Sequence, residues 1–332
     1  MFELFSRWFD PHNLAATHPL DLCGVKINYY KDHHMRVFVT GATGFIGSAI
    51  IQELLGAGHQ VLGLARSEAA AQALAAAGAE AHWGTLDDFD SLRRGAAVAD
   101  GVIHTAFVHD FSAYANAGET DRRAVEALGT ALVGSDRPFV VTSGVAVLTP
   151  GRLGTETDAT NPTAAAAPRI PSEEAVLALA AQGVRASVVR LPPSVHGDGD
   201  HAFVPTLISI ARDKGVSAYV GDGRNRWSAV HRLDAARLFR LALEQGTAGA
   251  RYHGIADEGV AVRDLAGVIG RRLNLPVVAK SPEEAADHFG WLADFLGIDC
   301  PASSALTQQQ LGWHPSQPTL LADLEQGRYF EI

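Results

Sequence analysis

Three glycines at positions 41, 44 and 47 constrain this chain more than any other feature. They follow a short apolar run, Val37-Phe38-Val39, which reads as a buried strand. After them Phe45, Ile46, Ile50, Leu54 and Leu55 recur at helical spacing. Strand, glycine turn and helix in that order are the context of a dinucleotide-binding site. Glycine lets the backbone turn sharply and approach a pyrophosphate, and the helix N-terminus adds unpaired N–H groups and the positive end of the dipole. Thr40, Gly41, Thr43, Gly44, Phe45, Ile46 and Gly47 are therefore candidate cofactor contacts. The alternative is an ordinary strand–helix turn; order, spacing and flanking pattern together favour the first reading.

From 36 to about 190 short apolar runs alternate with helical stretches, as in successive βαβ units. Strands are expected at 36–40, 60–65, 79–83, 100–106, 138–142 and 186–190, and helices near 46–57, 68–77, 88–94, 112–134 and 172–182. Parallel order with right-handed crossovers gives an α/β, Rossmann-type doubly wound sheet over 35–190. Pro192-Pro193 ends the alternation. Helices near 203–214, 234–244, 263–273, 282–296 and 304–311, with strands near 218–220 and 251–255, then predict a smaller substrate lobe over 191–332. Segments around 225–255 are expected to return to the core. Residues 1–34 do not fit this pattern and read as a loosely held or non-native extension before Met35.

The bulk numbers exclude more than they select. A formal charge of −10 and a pI near 5.7 argue against nucleic acid or an anionic membrane as main partner. Two cysteines, Cys23 and Cys300, make no disulfide framework, so a reduced, cytoplasmic setting is expected. No apolar stretch approaches the roughly 18 residues of a membrane helix. A small-molecule substrate, and at most a second copy of the chain as homodimer, are the expected partners.

Thr40-Gly41-Ala42-Thr43-Gly44-Phe45-Ile46-Gly47, with its Gly-x-x-Gly-x-x-Gly spacing, resembles the start of extended or atypical short-chain dehydrogenases/reductases. This is the superfamily of nucleotide-sugar epimerases and dihydroflavonol reductases, and the resemblance spans roughly 35–330. An NAD-preferring site places Asp or Glu about 20 residues after the glycines. Here Arg66 stands nineteen residues after Gly47, and Arg binds a 2′-phosphate where an acid would repel it. NADP(H) is therefore expected over NAD(H), the alternative being a solvated surface arginine. The resemblance implies that Leu86 and Asp87 flank the adenine, and that Thr105, Ala106 and Phe107 line the ribose and pyrophosphate. Asp88 reads as a helix N-cap and His104 as packing between sheet and helix. Ser143, after Thr142 at the end of the fifth strand, matches the catalytic serine, although a serine merely ending a strand is the alternative. Arg190 to Gly197, with Pro192 and Val195, is similar to the segment beside the nicotinamide amide.

The pattern breaks at one place. The family's Tyr-x-x-x-Lys pair, which moves the proton, is missing, and Arg169 and Glu173 occupy the corresponding positions. Arg keeps its charge and can polarise a carbonyl but donates no proton. A glutamate in a dry pocket can act as an acid. An ion pair across the helix start, with Ser172 as N-cap, is the alternative. Trp227 stands where nucleotide-sugar enzymes often carry an arginine, so a nucleotide sugar is not expected. Phe107, Phe111, Tyr114, Phe203 and Trp227 point to an aromatic or apolar carbonyl substrate, or simply to core packing. The spacing of His109, Asp110, His196, His201 and His231 matches no metal motif, so no metal is expected. The expectation is an NADP(H)-dependent oxidoreductase using Ser143, Arg169 and Glu173 on a small carbonyl or secondary alcohol. A non-catalytic NADP-binding sensor and epimerase or dehydratase chemistry are the alternatives.

Overall fold

Seven parallel strands form the central sheet of this chain in the computed structural model, which describes residues 34–108 and 113–331. Expectations for 1–33, Cys23, His109, Asp110 and Phe111 lie outside the described residues. In chain order the first half runs β1 (Arg36–Thr40), α1 (Phe45–Gly56), β2 (Gln60–Ala65), α2 (Glu68–Ala77), β3 (Glu80–Trp83), α3 (Phe89–Ala97), β4 (Gly101–His104), α4 (Tyr114–Thr130), β5 (Pro138–Gly144), α5 (Ile170–Ala180) and β6 (Arg185–Leu191). The second half runs β7 (Ser194–His196), α6 (Phe203–Lys214), β8 (Ser217–Val220), β9 (Arg226–His231), α7 (Arg232–Gln245), β10 (Arg251–His253), β11 (Asp257–Ala261), α8 (Val262–Leu273), β12 (Val277–Lys280), α9 (Pro282–Phe289), α10 (Ala293–Leu296), α11 (Ala305–Leu311) and α12 (Leu320–Gln326).

The sheet order is β10-β6-β5-β4-β1-β2-β3. It reverses direction between β1 and β4, which makes a Rossmann-type sheet with its crevice at that switch point. Central strands are buried along most of their length because helices cover both faces. Ile50, Leu54, Phe239 and Leu243 of α1 and α7 fill one face. Leu92, Val125, Leu128, Val176 and Leu179 of α3, α4 and α5 fill the other. Local chemistry sets the helix ends. Ser67 accepts from Ala70 N–H at the start of α2, and Asp88 caps α3 as expected.

A second core lies around Trp227, Phe289, Leu292 and Leu320. Its sheets are small: β7 lies parallel to β9, β11 runs antiparallel to β9, and β8 pairs with β12. The sequence reading has no β7, β9, β11 or β12, because three- to six-residue strands take their partners from distant segments. The expected helix over 282–296 is interrupted at Gly290, whose φ of 58° lies in the left-handed region. A 3-10 turn over Gly290–Leu292 links α9 to α10. Among the described residues no helix is long and apolar enough to cross a membrane.

Candidate active site

The glycine turn is built by close backbone approach. Thr40 pairs with His104 across β1 and β4, and the chain then turns at Gly41 with φ of 66°. A β-carbon on Gly41 would stand 2.7 Å from the Ala106 nitrogen, and one on Gly47 would stand 2.0 Å from the Gly41 carbonyl oxygen. Neither position accepts a side chain without moving backbone. Gly44 N–H donates to Gly41 O at 2.9 Å, and the Thr105 hydroxyl donates to Thr40 O at 2.8 Å. Helix α1 follows Gly44 as N-cap, with no side-chain cap and no acid in its first turn. Among the described residues its leading N–H groups therefore meet no carboxylate, which suits an incoming diphosphate.

The other expected cofactor residues lie along the same C-terminal sheet edge. Thr43 and Gly44 are exposed, while Phe45, Ile46, Thr105, Ala106 and Phe107 are half-buried. Arg232 stacks its guanidinium 5.1 Å from the Phe45 ring centre, and His201 meets that ring edge-on at 5.9 Å. Arg66 is exposed at the end of β2 and makes no ion pair among the described residues. Leu86 packs on the α3–α4 core, and Asp87 is exposed beside it. Thr142 donates its hydroxyl to His104 O at 2.9 Å. Pro192 is buried and Val195 half-buried against the α1–α7 core.

At the end of β5 the Ser143 hydroxyl is buried and has no hydrogen-bond partner among the described residues. Arg169 reaches across from the turn before α5. Its guanidinium donates to Thr142 O at 2.7 Å and lies 4.1 Å over the Phe107 ring centre, while its Nε is buried without a partner. The expected Arg169–Glu173 pair is not formed. Glu173 turns instead to Arg190 on β6, which donates from Nε to Oε1 at 3.0 Å and from Nη2 to Oε2 at 2.8 Å. Both partners are essentially inaccessible, and Arg251 approaches the same carboxylate at 3.5 Å. A carboxylate gripped at both oxygens is a structural anion and is poorly placed to give up a proton.

Ser172 is not an N-cap. It sits inside the first turn of α5 and donates to Asp121 Oδ2 at 2.6 Å. Asp121 Oδ1 lies 3.1 Å from His104 Nε2, and His104 Nδ1 lies 2.7 Å from the Thr40 hydroxyl. A buried polar chain therefore runs from the glycine strand through β4 and α4 to α5. Burial opposes ionisation of Asp121, but its bond to His104 and the charge of Arg169 win and lower its pKa. Sequence reasoning missed Asp121, although it falls on the stripe Ala117, Asp121, Ala124, Val125 and Leu128 that faces the core. A carboxylate on an apolar stripe is the signal that was available.

Aromatic rings lead outward from this point. Phe107 meets Tyr114 at 5.9 Å, Tyr114 meets Phe295 at 6.4 Å, Phe295 meets Phe203 at 5.5 Å, and Phe203 meets the half-exposed Trp291 at 5.9 Å. Trp227 is buried behind Phe203 and serves the lobe core. A cavity of about 370 Å³ lies between the chain after β5 and residues 297–300, lined by Ala146, Leu148, Thr163, Ala164, Ile298 and Cys300. Burial pushes the Cys300 thiol up to about 12, so it stays protonated.

A sequence model of the NAD-dependent epimerase/dehydratase family matches residues 37–255. An uncharacterised protein of Schizosaccharomyces pombe is 56% identical over 298 residues, 89% of this chain and 100% of that protein. The 4-hydroxy-2-methyl-3-oxo-4-farnesyl-3,4-dihydroquinoline-1-oxide ketoreductase of Stigmatella aurantiaca is 33% identical over 228 residues, 66% of this chain and 67% of that one. The dTDP-glucose 4,6-dehydratase DesIV of Streptomyces venezuelae, solved with NAD, shares the fold with a TM-score of 0.73 at 21% identity, covering 90% of this chain and 97% of that one.

Proposed function

Because this chain belongs to the NAD-dependent epimerase/dehydratase family, we propose that it is an NADP(H)-dependent oxidoreductase acting on an aromatic or apolar ketone, aldehyde or secondary alcohol. When bound, the reduced nicotinamide supplies the hydride. The glycine turn and the uncapped start of α1 hold the diphosphate. Arg66, free of protein anions among the described residues, grips the 2′-phosphate. Ser143 donates its hydroxyl to the substrate oxygen, and Arg169 adds fixed positive charge nearby. Glu173 keeps Arg190 neutralised and takes no part in proton transfer.

The observation that carries this reading is the buried, unpartnered Ser143 hydroxyl at the crevice edge of the sheet. A buried hydroxyl without a partner costs stability, and a substrate oxygen would satisfy it. The row of rings from Phe107 to Trp291 supports a flat, apolar substrate. Trp227 offers no charge to a sugar nucleotide, and the ketoreductase among the relatives points the same way.

The test is a melting-temperature titration of the full chain with NADPH, NADP⁺, NADH and NAD⁺, followed by NADPH consumption with benzil, acetophenone and cinnamaldehyde. Ligand bound to the native state raises the melting temperature by mass action. NADPH and NADP⁺ are expected to shift it, less so in Arg66→Ala, and Ser143→Ala is expected to lower kcat about 100-fold. No shift with any of the four nucleotides would refute the reading. Shifts without turnover on any carbonyl would favour the sensor alternative.

A further inference from the structure

Resting on that reductase reading, we infer that Arg232 is a further cofactor-binding residue, a cation that meets the diphosphate from the side of α7. Helices α1 and α7 lie side by side with their starts together. Phe45 opens α1, Arg232 opens α7, and the Arg232 guanidinium stands 5.1 Å from the Phe45 ring centre. About two turns further along, Arg240 of α7 donates from Nε to Glu53 Oε1 of α1 at 2.7 Å. Both pairs are 187 residues apart in sequence, so the two helices run parallel in one register.

The two rungs differ in charge. At the second, Arg240 is neutralised by Glu53 and Glu244. At the first, α1 presents a ring where the next rung has a carboxylate. Among the described residues the half-buried Arg232 makes no ion pair, and its guanidinium contact is the Phe45 ring. The acids around the start of α7 are held elsewhere. Asp234 accepts from the Ser316 and Gln317 N–H groups at 3.0 Å each. Asp200 accepts from the Tyr329 hydroxyl at 3.0 Å and Ala202 N–H at 2.8 Å, and exposed Asp198 makes no ion pair among the described residues.

The uncapped start of α1 and an unneutralised cation therefore meet at one residue, Phe45. A helix start supplies only about half a positive charge, whereas a cofactor diphosphate carries two negative ones, so a full cation beside it has work to do. A guanidinium packed on a ring keeps N–H groups free to fork onto phosphate oxygens. The loop after β7 closes the other side of Phe45. His201 meets the ring edge-on at 5.9 Å, and a β-carbon on Gly199 would stand 3.7 Å from Arg232 Nη1. Tyr329 fastens that loop: its hydroxyl accepts from Gly197 N–H at 3.0 Å and donates to Asp200.

The experiment titrates the full chain, wild type and Arg232→Met, with NADPH, NADH and adenosine 2′-monophosphate by calorimetry. Methionine keeps an apolar stem on the Phe45 ring and removes the charge. Arg232→Met is expected to weaken whichever dinucleotide binds by about 10- to 100-fold. The loss should shrink as NaCl rises from about 0.05 to 0.5 M. Adenosine 2′-monophosphate, which has no diphosphate, should bind both proteins alike. Wild-type dinucleotide affinity in Arg232→Met would overturn the assignment and leave the reductase reading intact, making the arginine a cover for Phe45. A loss that is insensitive to salt, or equal for all three ligands, would overturn it in the same way. Wild type that binds neither dinucleotide would overturn both.

Discussion

The two walls of the crevice are built by opposite means. On the β1–β4 wall the chain is held by backbone: a left-handed Gly41, a carbonyl pressed against Gly47, and strand pairing of Thr40 with His104. On the β5–β6–β10 wall it is held by buried side chains. Ser143, Arg190 and His253 stand side by side across three strands. Glu173 neutralises Arg190, His253 gives a hydrogen bond to Ser303 O at 2.9 Å, and Glu156 accepts from the Thr307 N–H and hydroxyl at 2.7 Å each. Backbone geometry suits a diphosphate. Side-chain networks can be exchanged, which leaves this wall free to differ between chains of one fold.

The sharpest way to break this contrast is on the second wall. Glu173→Leu strands a buried guanidinium and is expected to cost about 3–5 kcal/mol in urea unfolding, most of it restored in Glu173→Leu/Arg190→Met. If the double variant stays as unstable as the single one, the pair holds more than its own charge.

Acid is the next probe. Burial holds His253 down to about 4 from its ordinary 6.5. Above the ordinary value the ring is neutral in both states and this contribution is fully present. As pH falls from there toward the folded value the unfolded chain takes the proton first, so stability falls, levelling below it. At roughly 1.4 kcal/mol per pKa unit the loss is on the order of 3 kcal/mol. His253→Gln should flatten that part of the curve, and an unchanged slope would assign it elsewhere.

The glycine turn of the first wall is a test of shape. Gly41→Ala, with its left-handed backbone and its clash at Ala106, is expected to cost about 2 kcal/mol and to abolish the NADPH-induced melting shift. It should leave the pH profile untouched. A changed profile would mean that the two walls are coupled, through the chain from Thr40 to Ser172.

This contrast also explains what could be read in advance. The doubly wound sheet, the glycine turn and the Asp88 cap follow from short-range rules of spacing and backbone freedom, and those are written locally. The partner of Glu173 is not. Arg169 stands four residues before it, one helical turn away, while Arg190 stands on a strand that only folding brings alongside. The same holds for β9, whose neighbours β7 and β11 lie on either side of it in sequence and share no pattern that names them. Tyr114 was visible as an aromatic residue, but its approach to Phe107 and Arg169 depends on how α4 and α5 pack.

The ion pair between Glu173 and Arg190 has a consequence for how such a chain can drift. Each single replacement crosses a deep valley, because it leaves one full charge enclosed, whereas the paired replacement by apolar residues lands on level ground. A library that randomises these positions one at a time would therefore return only the starting residues. One that randomises them together would recover fitted pairs, and the positions between which the chain can move are set two at a time.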